Sequence, residues 1–298
     1  TNYLRIYTLS MISVVIYNLF CGVLRAIGDS KSPMMFQIIG GIVNVISDFI
    51  FIVILKKGVE GAAIATLLSQ SLTAILTIIC FYKRKHQPKL QFTFNIFDKH
   101  IFMKILKIGV PAGVQAIVIT LSNIIIQSQI NSFGVDALAS FTAYFKVELI
   151  IYLPIIVLGQ ALVSFVGQNY GAGEYDRINK GVKYSMITSV IVTMIVSSLL
   201  IFNSDIIFSA FTSSKEVMAY GKQIVSITFP FYFLYVILEC SSSKIRGIGI
   251  SIPPMLITIC SFCGVRIIVL IALLKKYNSI ASIAATYPIS WLFAVVLM

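Results

Sequence analysis

Three acidic side chains lie within long apolar stretches of this sequence: Asp48, Glu148 and Glu239. An ionisable group at membrane depth is unfavourable, and by default it marks a functional site. Asp48 is the strongest candidate, because Asn44 precedes it by four residues and shares its helix face. Carboxylate and amide oxygens suit a small cation, and Thr66 could add a hydroxyl oxygen. The same carboxylate could instead carry a proton; the alternative is that Asn44 and Asp48 only join helices by hydrogen bonds.

A second group of polar side chains lies further along the chain, around Glu148. Asn123 and Gln127 are four residues apart, so a helix presents both on one face, and Gln115 lies earlier in the same stretch. We expect these side chains to line a cavity with Glu148; the alternative for Glu148 is a buried pair with a neighbouring helix. Lys146 lies about 200° from Glu148 around a helix and is therefore not expected on the same face.

Two more ionisable side chains interrupt later apolar stretches. Glu239 ends its stretch just before Lys244, and we expect an ion pair between them at the level of the lipid headgroups. Arg266 lies in the middle of its stretch and is expected in the cavity, or as a counter-ion for Glu148 or Glu239. No histidine lies in any apolar stretch, so neither the nucleophile–base pair nor the metal cluster of a membrane-embedded enzyme is expected.

Apolar segments must position these side chains. Of the 298 residues, 58% are hydrophobic and only 11% are charged, whereas a soluble domain is about 25% charged. Lipid can surround such a chain, and one span needs about 20 mostly apolar residues. Nine such segments are predicted, over residues 4–24, 33–55, 59–82, 108–133, 137–166, 182–202, 222–240, 253–274 and 279–298. The sequence therefore predicts an all-α polytopic membrane protein.

Basic residues lie mostly in the connections between the segments and predict the orientation. The longest polar connection, 83–107, is expected to be a cytoplasmic linker. With that choice, fourteen lysines and arginines lie on the cytoplasmic side and seven on the other, in line with the positive-inside rule. The net charge of +12 then reflects topology in the cell membrane rather than a nucleic-acid partner.

A short internal repeat predicts the architecture. Residues 25–34 read RAIGDSKSPM and residues 246–255 read RGIGISIPPM, with six of ten positions identical at an offset of 221. Both copies follow a segment on the same predicted side, which requires a parallel repeat with six helices per lobe. On this pattern we expect three helices, about 120 residues, to be missing before Thr1 and the last helix to be cut short. The expected domains are the remaining N-terminal lobe (1–82), the linker (83–107) and the C-terminal lobe (108–298).

Several stretches together resemble the multidrug and toxic compound extrusion (MATE) family over essentially the whole chain. They are the repeat at 25–34 and 246–255, NVISD at 44–48, GVEGAA at 58–63, IGVPAG at 108–113 and GQNYGAGEYDR at 167–177. The resemblance implies two six-helix lobes around a central cavity, which rock to export organic, often cationic, compounds in exchange for Na⁺ or H⁺. It implies no cofactor other than the coupling ion, and we expect a monomer.

The resemblance also implies roles for particular residues. The family draws a cation site from an Asn and an Asp of one helix and a Thr of the next, which correspond here to Asn44, Asp48 and Thr66. A further Asn of the family corresponds to Asn18. The family often has an acid at the position of Glu148, lining the C-terminal cavity.

A rival interpretation is a lipid-linked oligosaccharide flippase of related two-lobed architecture. Such a protein would carry several basic side chains in its cavity to bind pyrophosphate. Only Lys146 and Arg266 are available here, which favours the efflux transporter.

Overall fold

The computed structural model describes residues 2–83 and 98–298, and these residues are almost entirely helical. The α-helices are α1 Asn2–Ala26, α2 Lys31–Asp48, α3 Gly58–Lys83, α4 Lys99–Asn131, α5 Val135–Gly171, α6 Tyr175–Phe202, α7 Ser204–Ser209, α8 Lys215–Thr228, α9 Tyr232–Gly247, α10 Ile252–Ile259, α11 Arg266–Lys276 and α12 Ile280–Leu297. Two π-helical stretches, Phe49–Ile54 and Cys260–Val265, continue α2 and join α10 to α11. The 3₁₀ turn Phe229–Phe231 joins α8 to α9.

Nine helical stretches in the described part of the chain are long and apolar enough to cross a membrane. Each corresponds to one of the predicted segments, so the predicted all-α polytopic fold is confirmed. Three of the nine spans are interrupted helices: α2 with its π-helical end, α8 with α9, and α10 with α11. The break between α8 and α9 contains Pro230, which has no N–H to donate and cannot continue a regular helix.

The chain divides into two units, Thr1–Ile96 and Phe97–Met298. In the first unit, α3 packs against both α1 and α2. Small residues allow this close packing: a Cβ at Gly40 of α2 would overlap the hydroxyl of Thr73 in α3. Much of α1 and α2 exposes apolar side chains, as expected of helices solvated by lipid.

The second unit is built around α5, a helix of 37 residues that packs against α6, α8 and α9. The α12 helix closes the other side of α8 and α9, and α4 packs against α10. The largest fully buried side chains lie where these helices meet and include Tyr144, Phe229 and Tyr232. The hydroxyls of Tyr144 and Tyr232 need hydrogen-bond partners inside the helix bundle.

The two copies of the sequence repeat form the same local turn. Gly28 and Gly249 follow α1 and α9 with φ angles of +89° and +88°, where glycine is strongly favoured. In each copy the glycine N–H donates to the arginine carbonyl three residues earlier at 3.0 Å. The next amide donates to the carbonyl five residues earlier, at 2.9 and 3.2 Å. The shared residues therefore serve the same purpose in both places, which is to end one span and begin the next.

The α4 helix begins earlier than its predicted apolar segment. Asp98 caps it, accepting hydrogen bonds from the amides of His100 and Ile101, so residues 99–107 form its first turns. The predicted linker 83–107 therefore shrinks to the residues between α3 and α4, of which 84–97 lie outside the described residues. The cytoplasmic position of this linker stays a prediction.

Candidate functional site

The second unit contains a cavity of about 570 Å³ between α4, α5, α9, α11 and α12. Four of the predicted cavity residues line it together: Asn123, Gln127, Glu148 and Arg266. The other lining residues are Ile119, Thr142, Phe145, Lys146, Leu149, Tyr152, Tyr232, Tyr235, Phe262, Tyr287 and Trp291. The cavity thus combines an acid, two bases, two amides and an aromatic wall.

Glu148 is held in the cavity wall by two tyrosines. Tyr144, one turn earlier on α5, donates a hydrogen bond to its Oε1 at 3.2 Å, and Tyr232 at the start of α9 donates a second one to the same atom. Both bonds end on Oε1, so Oε2 makes no hydrogen bond to a described side chain. A carboxylate held in this way presents one fixed oxygen to a ligand.

Arg266 is almost completely buried, with 2% of its surface exposed. Its Nε donates to Ser290 Oγ of α12 at 3.0 Å. The guanidinium also lies against the rings of Phe262 and Tyr287, 4.3 and 4.7 Å from their centroids. Arg266 makes no direct ion pair with Glu148 or Glu239 among the described residues, but it is close enough to Glu148 for the two charges to interact, so the counter-ion role toward Glu148 stays a prediction.

Lys146 reaches the same cavity as Glu148, contrary to the expectation that it would lie on another face. The backbone positions do differ in direction, but the long lysine side chain is exposed and extends around the helix. Its ammonium lies 5.7 Å from the ring centroid of Phe211.

Gln115 lies outside the cavity lining. Its amide nitrogen donates to Thr258 Oγ1 at 3.0 Å and links α4 to α10. Asn123, which does line the cavity, is eight residues or about 12 Å further along α4. Gln115 therefore joins two helices and does not contribute to the cavity.

Tyrosine and tryptophan side chains form the wall of the cavity, and sequence reasoning missed most of them. The Trp291 ring contacts the rings of Tyr232, Tyr235 and Tyr287, with centroids 4.8, 5.8 and 6.1 Å away. The Tyr152 ring lies beside the Tyr235 ring, with the two centroids 5.7 Å apart. A signal was present, since Tyr287 and Trp291 are four residues apart on α12 and face one direction.

Glu239 pairs with Arg246 and not with Lys244, so the predicted ion pair is wrong. Arg246 Nη2 donates to Glu239 Oε1 at 2.5 Å, while Lys244 donates to Asn179 of α6 at 3.0 Å. The reason is helical geometry: seven residues complete about two turns and return to the same face, whereas five do not. Ser243 Oγ lies between the two charges, bonded to each.

The first unit carries the predicted cation-site residues on neighbouring helices. Asp48 is the last residue of α2, immediately before the π-helical stretch, and its Oδ1 is buried without a hydrogen-bond partner among the described residues. Asn44 is half-buried one turn earlier. Thr66 on α3 donates its hydroxyl proton to the Ala62 carbonyl at 2.9 Å, which leaves its oxygen lone pairs available. Asn18 is exposed on α1.

These residues fit a small cation by their chemistry. Carboxylate, amide and hydroxyl oxygens are hard ligands, and Na⁺ binds such oxygens as other hard cations do. An unpartnered buried carboxylate oxygen is unfavourable unless something binds it. The shared ligation of one ion by Asp48, Asn44, Thr66 and Asn18 stays a prediction.

Two family models match parts of this chain. A model of the MatE family matches residues 111–272, just over half of the chain, and a model described as lipid II flippase MurJ matches residues 1–135. The probable multidrug resistance protein YoeA of Bacillus subtilis is 28% identical over 273 residues, covering 89% of this chain and 59% of that protein. The probable multidrug resistance protein NorM of Thermotoga maritima is 24% identical, covering 93% of this chain and 60% of that protein.

Solved structures have the same fold. A MATE crystal structure in the straight conformation superposes with a TM-score of 0.91 at 20% identity, covering 99% of this chain and 67% of that one. An outward-facing multidrug resistance MATE family transporter superposes with a TM-score of 0.90 at 21% identity, covering 99% and 66%. The chain spans about three fifths of the length of the curated relatives named above. From the family model that matches more than half of its residues, the chain belongs to the MatE family and is a multi-pass membrane protein.

Proposed function

We propose that this chain is the larger part of a secondary active efflux antiporter, which exports small organic compounds in exchange for Na⁺ or H⁺. The observation that carries the proposal is the cavity of the second unit, where charged, amide and aromatic side chains meet inside a bundle of membrane-spanning helices. Membership of the MatE family and the multidrug resistance names of two relatives support it. The activity belongs to the whole protein, of which this chain covers a part.

The cavity has the features of a binding site for small organic molecules. Such sites are concave and mostly apolar, with a few polar groups that fix the orientation of the ligand. The rings of Tyr232, Tyr235 and Trp291 offer flat surfaces for aromatic compounds. Glu148 Oε2 and the faces of these rings would attract a cationic group. Organic cations are therefore one substrate class that we propose.

Asp48 is proposed to couple transport to the ion gradient. Its Oδ1 lacks a partner, so a bound cation or proton would relieve an unfavourable buried oxygen. A coupling ion drives a conformational change only through different affinities for the two states. A carboxylate that ends an α-helix where a π-helix begins is well placed for this, since such stretches are frequent at functional sites.

Efflux measurements on the full-length protein test this proposal. Asp48→Asn keeps the shape of the side chain but removes its charge, and we expect the export of a fluorescent cationic dye from energised vesicles to be lost at equal protein amount. Asp176→Asn is the matched control, because Asp176 is exposed in the first turn of α6. Unchanged efflux in Asp48→Asn would remove Asp48 from the coupling mechanism, and absence of efflux in the unmodified protein would contradict the proposed function itself.

A flippase for lipid-linked saccharides is the second candidate, favoured by the MurJ model match over residues 1–135. The cavity does contain two bases, Lys146 and Arg266. In a flippase these would contact a pyrophosphate, and a fluorescent lipid-linked saccharide would then move between leaflets of vesicles containing the full-length protein. Dye export without movement of the lipid separates the two functions.

A further inference from the structure

A groove of about 310 Å³ lies between α5 and α6 in the second unit. It has no lining residue in common with the cavity described above. One wall comes from residues 154–158 of α5 and the other from residues 184–193 of α6. The lining residues are Pro154, Ile155, Leu158, Tyr184, Ser185, Thr188, Ser189, Val192 and Thr193. Apolar side chains therefore share this groove with several hydroxyl groups.

The two helices touch closely at one level and leave the groove at another. A Cβ on Gly181 of α6 would overlap the ring of Phe165 of α5, so the helices are in direct contact there. Pro154 lies further along, inside α5. A proline in a helix interior has no N–H for the carbonyl four residues earlier, and its ring crowds that turn. The groove lies beside this irregular turn, where regular helix packing is interrupted.

The groove opens toward lipid. The α6 helix is one of the helices long and apolar enough to span the membrane. Tyr184, Thr188, Ile191 and Ile195 follow one another at spacings of four, three and four residues, so they form one stripe along α6. All four side chains are exposed. Because exposed side chains of a spanning helix meet hydrocarbon, the molecule that fills the groove comes from the membrane.

Two hydroxyl groups of the groove have no partner among the described residues. Ser189 donates its hydroxyl proton to the Ser185 carbonyl at 2.6 Å. The hydroxyls of Ser185 and Thr188 donate to no group in residues 2–83 and 98–298, although both side chains line the groove. A hydroxyl without a hydrogen bond is unfavourable in hydrocarbon. The ester carbonyls of a phospholipid would accept these hydrogen bonds.

Basic side chains lie on α6 beyond one end of the groove. Arg177 and Lys180 precede Tyr184 by seven and four residues, which places them on nearly the same helix face, about 10 and 6 Å further along. Both are exposed, and neither makes an ion pair or hydrogen bond with a described residue. Asp176 lies still further out, in the first turn of α6. Basic side chains in such a position bind lipid phosphates, and tyrosine is frequent where hydrocarbon meets the headgroups.

We propose that the groove between α5 and α6 binds one anionic phospholipid of the membrane. The phosphate contacts Arg177 and Lys180, and an ester carbonyl accepts a hydrogen bond from Ser185. One acyl chain lies in the groove beside Pro154 and Leu158. Basic, hydroxyl and apolar groups follow one another along α6 in the order of phosphate, ester and acyl chain in a phospholipid. This order is the observation that carries the proposal.

A tryptophan at the mouth of the groove would report contact with lipid. Bromine atoms on an acyl chain quench tryptophan fluorescence only at close range, so quenching measures how often that lipid lies beside the probe. Trp291 is the single tryptophan in the sequence, and Trp291→Phe removes it. Tyr184→Trp then places the probe at the groove and keeps an aromatic ring with a polar hydrogen. Leu199→Trp, at an exposed position near the other end of α6, is the matched control probe.

The experiment reconstitutes the chain into vesicles of phosphatidylcholine that contain a small fraction of brominated lipid. The brominated lipid is either phosphatidylglycerol, which is anionic, or phosphatidylcholine, which is zwitterionic. At Tyr184→Trp we expect brominated phosphatidylglycerol to occupy the groove on the order of tenfold more often, since each basic side chain near an anionic headgroup contributes a factor of about five. At Leu199→Trp the two brominated lipids should quench equally.

Charge variants show which side chains hold the headgroup. Arg177→Gln/Lys180→Gln should reduce the preference for the anionic lipid to near one. Lys183→Gln is the matched control, because Lys183 is exposed but lies two residues before Ser185, about 200° around the helix from the groove. An equal loss of preference in Lys183→Gln would overturn the assignment, because any basic residue of α6 would then do the same.

A groove variant separates a built site from a merely basic surface. Thr188→Phe fills the groove without a change of charge and should remove the preference. Ile187→Phe adds the same ring at an exposed position outside the lining and should keep it. A preference that survives Thr188→Phe would overturn the groove site. Equal quenching by the two lipids at Tyr184→Trp would overturn the proposal even if no charge or groove variant folds, and it would leave the proposed export function untouched.

Discussion

The ion pair between Glu239 and Arg246 allows a quantitative prediction about stability. Its side chains are only 13% and 21% exposed, and its oxygen–nitrogen distance is 2.5 Å. Glu239→Gln would leave the Arg246 charge without its partner among packed helices, and Arg246 Nε already lacks a hydrogen bond. Removal of one partner from a buried pair destabilises a protein by about 3–5 kcal/mol.

The same unit offers a matched control. Lys222 and Asp205 also form an ion pair, but their side chains are 40% and 67% exposed. An exposed pair contributes at most about 1 kcal/mol. For about 200 residues, 1 kcal/mol shifts the melting temperature by about 2–4 °C. We therefore expect Glu239→Gln to lower it by roughly 6–20 °C and Lys222→Gln by no more than about 4 °C.

Thermal unfolding in one detergent, at one scan rate, measures both variants. The double variant Glu239→Gln/Arg246→Gln should recover part of the loss, because no unpaired charge remains. Equal shifts for Glu239→Gln and Lys222→Gln would refute the reasoning. A double variant that melts no higher than Glu239→Gln would refute it as well.

Three further predictions concern packing, the turn and the cavity. A Cβ at Gly159 would lie 2.6 Å from Glu239 Oε1, so Gly159→Ala should lower the melting temperature. Gly171 has open space around it, so Gly171→Ala should not lower the melting temperature. Equal shifts for the two variants would contradict the predicted overlap at Gly159. Gly249→Ala should lower the free energy of unfolding by about 1 kcal/mol, because Gly249 has a φ of +88°. The control is Gly113→Ala, at a helical position with open space, which should not lower the stability. Tyr232→Phe removes one of the two hydrogen-bond donors to Glu148 and should lower the free energy of unfolding by about 1–3 kcal/mol. Tyr175 is exposed at the start of α6, so Tyr175→Phe should leave the stability unchanged.

Hydropathy predicted all nine spans because lipid imposes a strict length and composition on each of them. The grouping of Asn123, Gln127, Glu148 and Arg266 in one cavity also followed from polar residues in apolar segments. This reasoning works for charged and amide side chains because they are rare in such segments. It does not work for tyrosines, since 14 of them are spread along the chain and only packing decides which meet.

Errors came where helix geometry had to be known in detail. The partner of Glu239 was misassigned because Lys244 is nearer in sequence, although a spacing of seven favours Arg246. Lys146 was placed on another face because backbone direction was considered without side-chain length. The π-helical stretches have no sequence pattern in common: one reads FIFIVI and the other CSFCGV. They could not have been predicted.

The π-helical stretch Cys260–Val265 determines the direction in which the Arg266 side chain leaves its helix. A π-helix turns less per residue than an α-helix, so the residue that follows faces a direction that regular helix geometry would not give. The same six residues in a regular α-helix would turn about 100° further and direct Arg266 away from the cavity. Removal of one residue, such as Gly264, with a return to regular turns would instead leave the direction of Arg266 nearly unchanged. A relative that lacks one residue in this stretch could therefore keep its arginine in the cavity on a regular helix.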